Sequence, residues 1–242
     1  MIGVFPGNSF LFLPDPCILI PMARELANRG RRRPPGHPSR RQPDVDRFLA
    51  LVLRNPVVER LLAAAEADAR QGGLPGWYLT SGCLFQTVWN VLDGHEPGRG
   101  IKDYDLFYFD DRDLSWDAED VVIRRWAGLG LDADIGPGRG VTVEVRNEAR
   151  VHLWYEQHFG VPCPPLRSSE DAISRFAATA CCVGIRREHG VDSVWAPFGF
   201  DDLFGFVLRP NPVQAPRDVY EAKAARWREL WPRLEVLPWP DR

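Results

Sequence analysis

The spacing of apolar positions changes character at Asp44. From there Phe48, Leu51, Val52, Leu61 and Leu62 recur at helical spacing, and Pro56 predicts a division into two short helices. After QGGLPG, residues 77–80 predict a short strand, with Ser81-Gly82 as a tight turn opening a helix over 83–92. HEPGRG predicts a loop and 103–109 a second strand, buried on both faces at its apolar end. Asp113 or Ser115 then caps a helix with an acidic first turn and an apolar face through Val122, Trp126 and Leu129. A brief strand at 133–135, a GPGRG turn and an alternating β-branched strand at 141–145 follow. Downstream the pattern predicts a helix over 149–158, a Ser168-capped helix, a hairpin of 180–186 with 191–195, and helices near 200–208 and 217–230. No fixed-period repeat interrupts this order.

The 242 residues are 45% hydrophobic and 26% charged, enough to bury one substantial core. The formal net charge of -3 hides an asymmetry: residues 1–47 carry eight arginines and four acids, leaving the rest near -7. An acidic body disfavours a broad phosphate-tracking surface, so no DNA partner is expected. The five cysteines include the adjacent Cys181-Cys182 and form no CxxC spacing, which points to reduced thiols, a cytoplasmic location and no zinc. His152 and His158 also lack a zinc spacing and read as packing or surface histidines. Lys102 and Lys223 are the only lysines, and strand alternation points Lys102 to solvent.

Residues 1–47 are expected to form a disordered extension. Their apolar start is broken by Pro6, Pro14, Pro16 and Pro21, too short between prolines for a membrane span, and the arginines follow it instead of preceding it, unlike a secretory signal. Met22 offers an alternative start. Segment 29–43, RGRRRPPGHPSRRQP, cannot offset its ordering entropy by burial and reads as a solvated tail; an RNA or anionic-surface tether is the rival reading. The domain itself is expected over 48–242, with a core at 76–146 and a helix-rich part at 148–242.

Side chains alternate along a strand, so Asp103 and Asp105 share a face with attachment points about 6.6 Å apart. Two such carboxylates repel unless a cation lies between them or one takes a proton. Glu144 is a third acid inside an otherwise apolar strand, where an unpaired charge is expensive. If the two strands are neighbours, the three acids converge on Mg²⁺ or Mn²⁺, hard cations that take carboxylates together with substrate phosphates. Two ions in such a centre support phosphoryl transfer. The competing reading makes Asp103 a strand start, Asp105 a wet-edge residue and Glu144 a partner of Arg146. Ahead of the acids, Ser81, Gly82 and Cys83 form a helix start whose backbone N–H groups suit phosphate.

A small-residue turn opening a helix, an acid-x-acid strand and a later acid on a third strand resemble the nucleotidyltransferase fold of polymerase-beta type. The strings GCLFQTVWN, GIKDYDLFYFDDRDLSW, VEVRNEARVHLWYEQHFG, WAPFGFDDLFGFVLRPN and KAARWRELWP extend the resemblance to a bacterial nucleotidyltransferase-like family, over roughly 48–240. It implies an α/β (α+β) fold on a mixed sheet, Gly82 at the phosphate turn, and Asp103, Asp105 and Glu144 as metal ligands. The implied reaction moves a nucleoside monophosphate from an NTP to a hydroxyl-bearing acceptor. The acceptor is open: a small molecule or protein is favoured, with RNA possible. The alternative is a non-catalytic nucleotide-binding or regulatory module. In the superfamily the turn reads Gly-Gly or Gly-Ser; here Gly82-Cys83 leaves no serine hydroxyl at that place.

Arg146, Asn147 and Arg150 follow the third acid and are candidate phosphate or base contacts, the arginines because their fixed fork suits phosphate. Arg209, in the RPN string, is a further candidate. Each has a structural rival, as a carboxylate partner or a helix end. Trp227 and Trp231, four apart, read as a helix face docked on the core. No GxSxG elbow or GxxxxGK[ST] loop is present, which removes support from hydrolase-triad and P-loop readings.

Overall fold

A computed structural model describes residues 41–129 and 142–241. Helix α1 (Arg41–Val52) ends where Asn55 caps α2 (Pro56–Ala69). Pro56 stands at the first helical position, where its missing N–H costs nothing. Asn55 Oδ1 accepts from the Val57 amide, and its Nδ2 donates to Thr87 Oγ1 and to the Tyr104 hydroxyl. One residue therefore starts a helix and ties it to two others. Residues 41–47, placed by their composition in the extension, belong to α1; the rest of that expectation falls outside the described residues.

Strand β1 (Tyr78–Thr80) runs into α3 (Gly82–Leu92), followed by β2 (Asp103–Tyr108), α4 (Trp116–Ala127) and β3 (Thr142–Asn147). Ser115 Oγ caps α4 by accepting from the Ala118 amide. The strand expected at 133–135 lies outside the described residues. After β3 come a 3₁₀ helix (Glu148–Leu153), α5 (Tyr155–Phe159) and α6 (Ser169–Ile173), the last capped by Ser168 as expected. Strands β4 (Gly184–Glu188) and β5 (Val191–Trp195) form the expected hairpin, turned by His189 and Gly190, both at positive φ. Helix α7 (Asp201–Phe204), β6 (Val207–Leu208), α8 (Arg217–Leu230) and β7 (Glu235–Val236) complete the order.

The five-stranded sheet has the order β3-β2-β1-β4-β5. The β2–β3 pair is parallel and the other three are antiparallel, so the sheet is mixed and the fold α+β. Strands β6 and β7 form a separate parallel pair. The helical side of the sheet carries Leu79, Tyr104, Leu106, Val145 and Ile185, all buried. Phe85, Trp89, Trp227, Trp231 and Phe206 form one aromatic cluster that docks α8 on α3, which places Trp227 and Trp231 in the core.

Three elements differ from the pattern. The helix expected over 149–158 is split, because Glu148 through Val151 are all buried in succession, which one face of an α-helix cannot provide. The helix expected over 200–208 stops at Phe204, since Phe206 takes φ 56° to stack on Trp89, with the Arg233 guanidinium also over its ring. The strand expected from 180 begins at Gly184, after a 3₁₀ turn at Thr179–Cys181.

Candidate active site

Because β2 and β3 are parallel and in register, Asp105 stands directly opposite Glu144, with Thr80 of β1 on its other side. Directly paired residues project from the same face, and adjacent strands lie about 4.8 Å apart. Asp103, two residues earlier, is on that face as well. The row therefore reads Glu144, Asp105, Thr80, and Gly184 and Trp195 continue it across β4 and β5. Arg146 is on this face too, opposite Phe107, and its guanidinium donates to Glu144 Oε2 at 3.3 Å. Thr80 closes the row by donating its hydroxyl to the Val183 carbonyl at 2.7 Å.

The turn after β1 borders the row. Ser81 takes φ 64° and ψ -136°, a backbone region that favours glycine, and its side chain makes no capping bond. The glycine-like position of this turn is thus Ser81, one residue before the Gly82-Cys83 pair singled out in the sequence. Gly82 and Cys83 open α3, and their N–H groups belong to the first turn, which has no intrahelical acceptors. The Cys83 thiol is fully buried and donates to the Thr80 carbonyl. Burial, and then the charges of Asp105 and Asp103, push its pKa well up, so it remains a neutral thiol beside the carboxylates.

Glu148 is the residue that motif reading missed. Its carboxyl is buried, both oxygens lack hydrogen-bond partners, and burial together with the Asp105 charge holds its pKa well above the usual range, against the pull of Arg146. Its parity with Glu144 and Arg146 along VEVRNE was the available signal; the 3₁₀ turn that carries it inward was not legible. Lys223 was also passed over. Phe85 meets Trp227 at 4.9 Å and Trp89 meets Trp231 at 5.3 Å, so α3 and α8 run in the same direction. The buried Lys223, one turn before Trp227 on α8, sets its ammonium over the Trp227 ring at 5.7 Å.

The other candidates lie elsewhere. Asn147 projects from the opposite side of β3: its Oδ1 accepts from the Asp110 and Ala149 amides, and its Nδ2 donates to the Asp110 carbonyl. Arg150 is buried in an ion pair with Glu119 of α4 and donates to the Leu114 carbonyl, with its guanidinium over Trp116. The Asn147 side chain thus fastens the end of β3 to the segment after β2, and the Arg150 side chain fastens the 3₁₀ turn to α4. Arg209 grips Asp202 with two bonds of 2.9 and 3.1 Å, beside Thr179. The structure therefore brings together Ser81, Gly82, Cys83, Asp103, Asp105, Glu144 and Arg146 on or beside one face, while the side chains of Asn147, Arg150 and Arg209 are engaged by Asp110, Glu119 and Asp202.

Two clefts of about 300 and 310 Å³ are lined by none of the residues brought together here. The first lies between α2 and the β4–β5 turn, the second between α8 and Trp239. Among the described residues no helix is long and apolar enough to cross a membrane. All four cysteines in the described residues are free, while Cys17 lies outside them.

A family profile described as nucleotidyltransferase matches residues 67–236, which span the turn, the acid row and α8. The chain belongs to this nucleotidyltransferase family. Its fold is also similar to a solved NMR structure described as revealing a CCA-adding enzyme head domain, with a TM-score of 0.61 and 20% identity over 80% of this chain and 96% of that one. That likeness agrees with the mixed sheet and its flanking helices. No curated protein matches the chain significantly.

Proposed function

We propose that this nucleotidyltransferase moves a nucleoside monophosphate from an NTP to a hydroxyl-bearing acceptor and releases pyrophosphate, with Asp103, Asp105 and Glu144 holding two Mg²⁺ or Mn²⁺ ions. The observation that carries the proposal is the register of β2 and β3, which sets Asp105 against Glu144 on the face bearing Asp103 and beside the start of α3. The donor set fits such ions: hard carboxylate oxygens, half buried, with the orphaned Glu148 carboxyl behind them. Among the described residues no three His, Cys, Asp or Glu side chains stand close enough to enclose an ion as they are. In this proposal the acids draw closer around the ions and Arg146 leaves Glu144, a 3.3 Å contact at a partly exposed site that costs little to break.

When bound, the divalent ions neutralise the triphosphate and acidify the acceptor hydroxyl. The chain's own groups do the rest. Gly82 and Cys83 N–H groups face the phosphates at the positive end of α3. Arg146, released from Glu144, is placed to follow a phosphate oxygen, and Glu144 is placed to receive the acceptor proton. The acceptor is a small molecule or a protein in this proposal, with RNA as the rival that the similar CCA-adding head domain suggests. A second reading, nucleotide binding without transfer, is favoured by the resting Arg146–Glu144 contact.

Thermal shift with each of the four NTPs, with magnesium or chelator, tests the site. A ligand at a hundred times its Kd adds about 2.7 kcal/mol, several degrees in Tm. A magnesium-dependent shift lost in Asp103→Asn and Asp105→Asn is expected. Pyrophosphate release with a panel of acceptors then separates transfer from binding alone; absence of any nucleotide shift overturns both readings.

A further inference from the structure

At the start of α3, another residue occupies the space that a side chain on Gly82 would take. A Cβ there would meet Nε2 of Gln86 at 2.7 Å. Gln86 stands one turn later, and helical side chains fold back toward the N-terminus, so its carboxamide lies over the opening of the helix. The residue is 4% exposed, and its amide has no hydrogen-bond partner among the described residues. The amide atoms are not among the fully enclosed orphaned polar atoms of the described residues, so the carboxamide of this otherwise buried residue keeps an opening through which a ligand can reach it.

The surroundings say which ligand. Cys83, on the same first turn, lies within reach of the Asp103 and Asp105 charges. Asn90, four residues after Gln86 on the same stripe of α3, donates to the Pro97 and Arg99 carbonyls and so holds the loop that delivers Asp103. The Gln86 amide thus sits at the border between a helix N-terminus and the acid row, where a metal-bound triphosphate would meet the chain. An amide adds donors without charge, which suits a place already bounded by carboxylates.

We propose that Gln86 is a side-chain donor of the triphosphate site: from the space above Gly82 its Nε2 group hydrogen-bonds a phosphate oxygen of the NTP, beside the N–H groups that open α3. The proposal rests on the nucleotidyltransferase reading above and names a specific contact within it. No bond is made or broken by Gln86; it holds the phosphate in place.

The test measures the affinity of full-length protein for MgATP, MgGTP, MgCTP and MgUTP, together with Tm, in wild type, Gln86→Met and Asp105→Asn. Methionine keeps the volume and removes the donor. The expected result is a Tm close to wild type with nucleotide affinity weakened about 10- to 100-fold, the loss of one hydrogen bond to a charged group. In turnover the loss falls on KM more than on kcat if the contact is made equally in ground and transition states. Should Gln86→Met fail to fold, Gln86→Glu, of the same size, is read in the same way: its negative charge should weaken binding further. Unchanged affinity in a folded Gln86 variant, with wild type binding and Asp105→Asn not, overturns the Gln86 contact and leaves the parent reading standing. No nucleotide binding by wild type itself removes the parent reading and this contact with it.

Discussion

Arg146 and Arg150 lie four residues apart in VEVRNEAR, and both read in the sequence as phosphate contacts, yet the fold gives them opposite settings. Arg150 and Glu119 keep only 9% and 6% of their side-chain surface exposed and are held by several bonds. Arg146 is 34% exposed and donates to Glu144 at 3.3 Å and to the Val145 carbonyl at 3.4 Å, both at the long end of hydrogen-bonding range. A buried and fully bonded ion pair is scaffold, because releasing either member strands a charge. A loose pair at the edge of an acid row can open at little cost, which makes it usable by a ligand.

The first way to break this comparison is Arg150→Ala. It should cost about 3–5 kcal/mol of stability by leaving Glu119 buried and unpaired, measured by urea unfolding. A cost below 1 kcal/mol would place both arginines in the same class. Asp105→Asn should lower transfer about 10²- to 10³-fold, the scale of losing one preorganised electrostatic contact, with Tm equal to or above that of wild type because a repulsion is removed. A Tm drop of many degrees would make Asp105 a structural residue instead.

Glu148→Gln sharpens the contrast from inside the site. Burial raises the pKa of Glu148 above its ordinary value of 4.5, so the folded state holds that proton more tightly than the unfolded chain does. Its favourable contribution is present below about pH 4.5 and is lost as pH rises toward the folded-state value. The variant should therefore gain stability over wild type as pH rises, on the order of 1–3 kcal/mol at neutral pH in chelator. A gap that is constant with pH would mean that Glu148 does not titrate in this way. The smallest effect belongs to Arg146→Ala: about 0–1 kcal/mol in stability, with a clear loss of MgNTP affinity. A larger stability loss than that of Arg150→Ala would invert the comparison.

Much of the site was legible because strand chemistry is local. Alternation alone put Asp103 and Asp105 on one face, and the apolar run around Glu144 marked an acid in need of a partner. The turn at Ser81-Gly82 was visible from its small residues, although the strained position proved to be Ser81. The partners of Asn147 and Arg150 were not legible, because only the fold brings the Asp110 backbone and Glu119 of α4 beside them. Glu148 and Gln86 were missed for a related reason: one depends on an inward 3₁₀ turn, the other on which face of α3 meets the loop before Asp103.

The sequence by itself determined most of the order of elements, the acid pair on β2, the cap at Ser168, a cap at Asp113 or Ser115, and the place of Trp227 and Trp231 in the core. Each of these follows from local geometry, from helical or strand periodicity and from the few residues that cap helices. Only the tertiary structure decided that β3 runs parallel beside β2, that Asp105 faces Glu144, and which arginine is fixed and which is loose. Those outcomes depend on register and on burial by distant segments, and neither is encoded in the spacing of neighbours along the chain.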